Sequence, residues 1–271
     1  MNDIHIVTVA THMDFYLPYL IESCKRNGKE LEILGFGEKW QGLSWKFQKM
    51  IDYLQTLDKK DIVCFVDGYD VICNRNINEL KEIFITFKNK NNFKFLTAID
   101  IYKYYIQEYV ATLYFKKCKN NNLNTGTYIG YSNYLLDVLK KLEYNTSNDD
   151  QILLTEYCNM HQEDVYIDFK QDLFLTIHKP LSDIHNEVII KNNIAYYNNK
   201  QPFFIHAPSC TYLNKMIIQL GYNITDHSII EYKLKHYFFR KGKVYVIDVI
   251  NRYYLIILTI IIIIILYIYN F

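Results

Sequence analysis

Three observations place this 271-residue chain among α/β proteins with a doubly wound sheet and a C-terminal transmembrane helix. Strand-like and helix-like segments alternate from Ile4 to Ala98, the sequence form of a β-α-β fold. The run Ile62 to Val66 (IVCFV) is β-branched, aromatic and sulfur-bearing throughout, as a strand buried on both faces should be. From Tyr253 to Tyr269, YYLIILTIIIIIILYIY carries no charge, Gly or Pro; at roughly 1.5 Å per residue it is about long enough to cross a thin bilayer.

Taken in order, Ile4 to Val9 alternates with β-branched residues and opens the sheet, with no signal peptide ahead of it. A helix through Tyr16 to Lys25 stops near Asn27-Gly28, and Glu32 to Gly35 reads as the second strand. The glycine-punctuated loop GFGEKWQG, Gly35 to Gly42, leads into a helix from Ser44 to Leu57 with apolar positions at Phe47, Met50, Ile51, Leu54 and Leu57. After Ile62 to Val66 come a short amphipathic helix, Asn78 to Phe87, and a strand, Phe93 to Ala98. Leu123 to Tyr131 reads as a Gly-containing loop running into a strand, Ser132 to Leu142 and Ile152 to Cys158 as helices. Short strands are expected at Val165 to Phe169, Leu173 to Thr176, Ile194 to Tyr197 and Phe203 to Ile205. The expected units are a domain over 1–222, a basic connecting segment over 223–252 and a tail anchor over 253–269.

Lys+Arg 30 against Asp+Glu 29 leaves a formal net charge of +1, so no bulk field argues for nucleic acid as partner. The six cysteines include no CxxC pair, which argues against a zinc site and for buried free thiols. Arg240, Lys241, Lys243 and Arg252 precede the apolar run, so single-pass membrane localisation with a cytosolic-facing domain is expected.

Asp67 and Asp70 follow the buried strand at once. Ligands gather beyond the carboxyl ends of strands in open α/β sheets, so a DxxD there suits a divalent cation held by hard oxygen ligands. Local turn hydrogen bonds are the alternative for the same two residues. Asn148 with Gln151, or Ser147 with Asp150, fits a helix capping box. Lys46 on a helix could be solvated, His206 an ordinary strand-end histidine, and Trp40 and Trp45 either core or the cover of a groove.

Six stretches in order, GFGEKWQG at Gly35, WKFQKMIDYL at Trp45, VCFVDGYDVI at Val63, LNTGTYIG at Leu123, NDDQ at Asn148 and IAYYNNKQPFFIHAPS at Ile194, give a likeness to a known family. The chain resembles the glycosyltransferase domain of the procollagen lysyl hydroxylases and, more distantly, the procollagen galactosyltransferases, over about Ile4 to Gly221. The resemblance implies a GT-A-like fold with a mixed sheet, a UDP-sugar donor and Mn²⁺. It implies Asp67, Asp70 and His206 as metal ligands, Tyr69 near the nucleoside, Lys46 near the phosphates, Trp40 beside the nucleotide, and Asp149 and Asp150 as a carboxylate pair facing the acceptor. The expected activity moves glucose or galactose from UDP-glucose or UDP-galactose to a hydroxyl on a protein or glycan acceptor. A catalytically inactive sugar-nucleotide or glycan-binding module and a phosphohydrolase are the rival readings.

Where that family reads HGNG, this chain has His206-Ala207-Pro208-Ser209, losing the close backbone approach that glycine permits. The acidic residue expected after the LTA strand is replaced by Ile99, with Asp100 one place along. Lysine hydroxylation is not expected of this chain. Asn145-Thr146-Ser147 and Asn223-Ile224-Thr225 are glycosylation sequons, without meaning on the cytosolic side.

Overall fold

The computed structural model describes residues 3–103, 105–142, 149–241, 253, 256 and 258–268. The chain runs β1 (Ile4–Val9), α1 (Leu17–Arg26), β2 (Leu31–Leu34), α2 (Trp45–Leu54), β3 (Ile62–Val66), β4 (Val71–Cys73), α3 (Ile77–Lys90) and β5 (Phe95–Asp100). It continues through α4 (Tyr105–Phe115), β6 (Asn122–Tyr131), α5 (Ser132–Lys141), α6 (Asp150–Met160), β7 (Val165–Ile167), β8 (Phe174–Thr176), β9 (Ile189–Lys191), β10 (Ile194–Tyr196), β11 (Phe204–His206), α7 (Asn214–Gln219) and α8 (His227–Lys241).

A six-stranded sheet in the order β2-β1-β3-β6-β5-β7 forms the centre. It is mixed: β1 pairs parallel with β2 and β3, whereas β6 runs antiparallel to both β3 and β5. Side chains of a strand alternate between faces, and β1 and β3 show this directly. Val7, Val9, Val63 and Phe65 pack with α2, α5 and α6 on one side. Ile4, Ile6, Ile62, Cys64 and Val66 pack with α1 and α3 on the other. The continuous apolar run of β3 therefore reflects cover on both faces.

A smaller sheet, β4-β11-β8, lies against the second face. Its central strand β11 is antiparallel to β4 and parallel to β8. This brings Asp70, just before β4, to the end of β11 that carries His206, paired with Val71. A third apolar cluster joins β11 to α7 and to Ile230 and Leu234 of α8, so the expected connecting segment over 223–252 begins as a helix packed on the domain.

Two expectations are corrected. Leu123 to Tyr131 is not a loop feeding a strand: Asn122–Tyr131 is strand throughout, with a register shift opposite Thr97/Ala98, where pairing jumps from Tyr128 to Asn124. Cys118 and Cys158 are not free thiols but form a disulfide across a sequence separation of 40, because packing brings the turn before β6 against α6. Cys24, Cys64 and Cys73 are buried free thiols. The expected membrane-crossing span over Tyr253 to Tyr269 falls partly outside the described residues. Among the described residues no helix is long and apolar enough to cross a membrane. Residues 258–268 are helical and exposed. The sequon at Asn145 and the capping positions Ser147 and Asn148 lie outside the described residues.

Candidate active site

The site forms where β3, the β3–β4 turn, β6, β11 and the start of α6 meet. Asp67 follows β3, and its backbone N–H donates to the Gly126 carbonyl at 2.7 Å, tying the DxxD turn to β6. The Ala207 N–H donates to the Asp70 carbonyl at 2.8 Å, closing the turn against β11. One ligand atom from each of Asp67, Asp70 and His206 falls within 4.8 Å of the others. His206 Nε2 is 3.3 Å from Asp70 Oδ1 and 3.9 Å from Asp67 Oδ2.

These atoms fit a cation. Asp70 Oδ1 and His206 Nε2 are buried and lack a hydrogen-bond partner, an arrangement that costs free energy unless something fills the gap. Hard carboxylate oxygens with one imidazole nitrogen suit a divalent first-row ion. Room for the cluster depends on Gly126: a Cβ there would lie 2.2 Å from His206 Cε1 and 2.9 Å from Asp67 Oδ2. Burial pulls the His206 pKa down, but Asp70, Asp67 and Asp100 outweigh it and hold the imidazole above its ordinary value.

Lys46 is buried on the first turn of α2. Its Nζ donates to Asp67 Oδ1 at 2.9 Å and lies 2.7 Å from Asp150 Oδ2. Burial disfavours its charge, yet Asp150 and Asp67 together raise its pKa well above the usual lysine value. The lysine expected near phosphates is thus the bridge between a candidate cation ligand and a candidate base.

The two neighbouring aspartates have different partners. Asp149 is the N-cap of α6 and accepts from the Gln151 N–H at 3.0 Å. Burial, then the Asp150 charge, raises the Asp149 pKa. Asp150 is buried among the site groups and accepts from Thr125 Oγ1 at 3.1 Å. The helix start imposes this split, since Asp149 keeps the extended backbone of an N-cap while Asp150 is the first helical residue.

Tyr69 faces the loop after β1: its hydroxyl accepts from the Thr11 and His12 N–H groups at 3.0 and 3.3 Å. Trp40 is 40% exposed and edge-on to the buried Trp45 at 5.6 Å. Trp45 is core and Trp40 its cover.

Sequence reading missed a second layer. Asp100 is buried and accepts from Asn124 Nδ2 at 2.9 Å, Gln151 Nε2 at 3.1 Å and Tyr102 OH at 3.1 Å, with His178 Nε2 2.7 Å away. The β6 register shift turns Asn124, Thr125 and Gly126 toward this layer, as bulges beside functional sites do. The signal in the sequence was Asn124-Thr125-Gly126-Thr127, four small or polar residues running directly into the apolar Tyr128-Ile129. His178 had none. Ser209, the last residue of the segment compared with HGNG, and Cys210 after it each take φ 59°, a left-handed backbone that residues other than glycine rarely adopt.

Comparison with known proteins identifies the class as a glycosyltransferase domain. The model of the PLOD GT domain matches residues 1–226, and the chain belongs to that family. It is 25% identical over 240 residues to a multifunctional procollagen lysine hydroxylase and glycosyltransferase of Caenorhabditis elegans, covering 82% of this chain and 33% of that protein. It is 26% identical over 234 residues to a procollagen-lysine,2-oxoglutarate 5-dioxygenase of Drosophila melanogaster, covering 79% and 31%. The chain thus spans about a third of the length of these curated relatives. Among solved structures, apo mouse xyloside xylosyltransferase 1 aligns with a TM-score of 0.40 and 11% identity, over 65% of this chain and 88% of that one.

Proposed function

We propose that the domain is a Mn²⁺-dependent glycosyltransferase of GT-A type that moves glucose or galactose from a UDP-sugar to a hydroxyl of a protein or glycan acceptor. The observation that carries this reading is the convergence of Asp67, Asp70 and His206 with two buried, unpartnered ligand atoms aimed at one point. Those three residues would hold the ion, which when bound supplies positive charge to a diphosphate leaving group.

The chain's own groups divide the rest. Lys46 is a second cation within 3 Å of the site's carboxylates, placed to stabilise negative charge in a water-poor setting. Asp150 is the base we assign to the acceptor hydroxyl: it faces the cluster, whereas Asp149 is engaged in capping α6. Tyr69 fixes the DxxD turn to the loop after β1 and would line the nucleoside side, with Trp40 on the outer rim.

The test is UDP release from UDP-glucose and UDP-galactose with Mn²⁺ present, alongside UDP affinity. Asp67→Ala or Asp70→Ala should abolish Mn²⁺-dependent UDP binding. Asp150→Ala should keep that affinity within about threefold and cut turnover by roughly 10²–10⁴-fold, the usual worth of a general base. Wild-type UDP affinity in both metal-ligand variants would refute the site. Binding without turnover on any acceptor would instead favour a sugar-nucleotide-binding module.

Compartment is part of the proposal. The Cys118–Cys158 disulfide favours an oxidising compartment over a cytosolic-facing one. Recovery of the protein from its native cells with both thiols free would return the cytosolic placement.

A further inference from the structure

Asn124 sits between the candidate cation site and the buried Asp100, and both ends of its amide are fixed by groups that cannot change role. The Gly126 backbone N–H, a donor only, lies 2.8 Å from Asn124 Oδ1. The carboxylate oxygen Asp100 Oδ1 accepts from Asn124 Nδ2 at 2.9 Å. Reversing the amide would set N–H against N–H at Gly126 and oxygen against carboxylate at Asp100, so the orientation is determined rather than chosen. Asp100 is itself held by Tyr102, Gln151 and His178, and its charge is therefore well supported in a buried place.

The consequence falls on His206. Its Nδ1 lies 3.1 Å from the same Asn124 Oδ1. An amide oxygen can only accept, so Nδ1 must carry the proton. In the neutral ring Nε2 is then left with a lone pair, and Nε2 is the unpartnered buried atom directed at Asp70 and Asp67. We infer that Asn124 is a positioning residue that, locked by Gly126 and Asp100, sets the His206 tautomer and ring orientation so that Nε2 is the ligand atom for a divalent cation. Outer partners of this kind fix a ligating imidazole by holding its other nitrogen. The inference deepens the metal reading proposed above and rests on it only for the identity of the ligand, not for the tautomer.

The β6 register shift is what makes the arrangement possible. Pairing with β5 jumps from Thr97↔Tyr128 to Ala98↔Asn124, so Asn124 reaches Asp100 through its side chain while Gly126, two residues on, lies against His206 without a Cβ. Asn124 is buried, 4% exposed, so water does not substitute for its contacts.

The experiment reads the tautomer and the cation separately. Full-length protein carrying ¹⁵N-histidine, at an alkaline pH where imidazoles are neutral, should show His206 with its proton on Nδ1, the signal assigned by its loss in His206→Gln. In Asn124→Ala that signal should move toward a mixture of both tautomers, and Mn²⁺ affinity in the presence of UDP, read by electron paramagnetic resonance, should fall about 10- to 100-fold. If Asn124→Ala does not fold, Asp100→Asn serves: Asn124 remains, its lock is weakened because the carboxylate charge is gone and an amide can turn either end to it, and a partial shift of the tautomer with a smaller loss of Mn²⁺ affinity is expected. A wild-type proton on Nε2, or a variant that keeps both the wild-type tautomer and Mn²⁺ affinity, overturns the inference. A wild-type proton on Nδ1 with no Mn²⁺ uptake, with or without UDP, leaves the tautomer lock standing and sinks the metal reading instead.

Discussion

The strands β4 and β11 carry polar groups at both of their ends, and the two ends behave differently. At one end Asp70 and His206 leave buried ligand atoms without partners. At the other, a cavity of about 290 Å³ is lined by Arg26, Arg75, Asn27, Asn76 and Asn193 among others, yet its arginines already have partners. Arg75 pairs with Glu79 at 2.6 Å and lies over the Phe203 ring. Arg26 pairs with Glu22 at 3.2 Å, donates to the Leu220 carbonyl and lies over Tyr222. The cavity is chemically settled, and the acid end is not. Capacity for chemistry follows from unmet valence in a dry setting more than from volume.

Glycine substitutions sharpen the contrast, with the largest effect at the acid end. Gly126→Ala places a Cβ 2.2 Å from His206 Cε1, and about 2–3 kcal/mol of stability should be lost from overpacking, with at least a tenfold loss of Mn²⁺-dependent UDP binding by calorimetry. Gly221→Ala lies at the amide end, at φ 82° with Asn193 3.4 Å away; it should cost about 1–2 kcal/mol in urea unfolding through its left-handed backbone, with UDP binding unchanged. Equal loss of UDP binding in both variants would break the contrast.

The disulfide staples the acid end alone, since Cys158 lies on α6, the helix that begins with Asp150. Cys118→Ser with Cys158→Ser should cost about 2–4 kcal/mol, and turnover measured well below the unfolding midpoint should fall more than UDP affinity. An unchanged unfolding curve would mean that the bond contributes nothing to holding α6.

Asp100 gives a pH signature of the same end. Burial raises its pKa, but His178, then His206 and Gln151, outweigh this and hold it below the usual carboxylate value. Its stabilising contribution is therefore fully present above the unfolded value near pH ~3.9 and is lost as pH falls through the lower folded value. The stability gap between wild type and Asp100→Asn should persist at neutral pH and narrow only below about pH 4. A gap that closes at neutral pH would contradict an ionised Asp100.

The smallest effect is expected at the amide end. Arg75→Ala removes a half-exposed pair with Glu79 and should shift stability by about 1 kcal/mol or less, with no change in UDP release.

Much of this was written locally. The alternation of β1 and the unbroken run of β3 encode strands covered on two sides, and the DxxD at a strand end announced its carboxylates because hydrophobic period and strand termination are near-neighbour properties. The short apolar stretch at β6 misled for the same reason: a glycine inside it looks like a loop until a neighbouring strand supplies hydrogen bonds. Family likeness pointed to His206 and to the Asp149-Asp150 pair, and adjacent aspartates are expected to divide their duties, but which of the two caps the helix is decided by the start of α6.

Sequence alone settled β1, β2, β3 and β5 with the helices α1, α2 and α3 between them, and where the first two acids stand, since those depend on residues a few places apart. Only the folded chain decided that His206 meets Asp70 through antiparallel pairing of β11 with β4, that Cys118 bonds Cys158, and that Asp100, Asn124 and His178 form a buried layer behind the acids. Each of those depends on how strands and helices pack and on groups 24 to 136 residues apart, and burial gives them their strength; neither quantity exists until the chain has closed on itself.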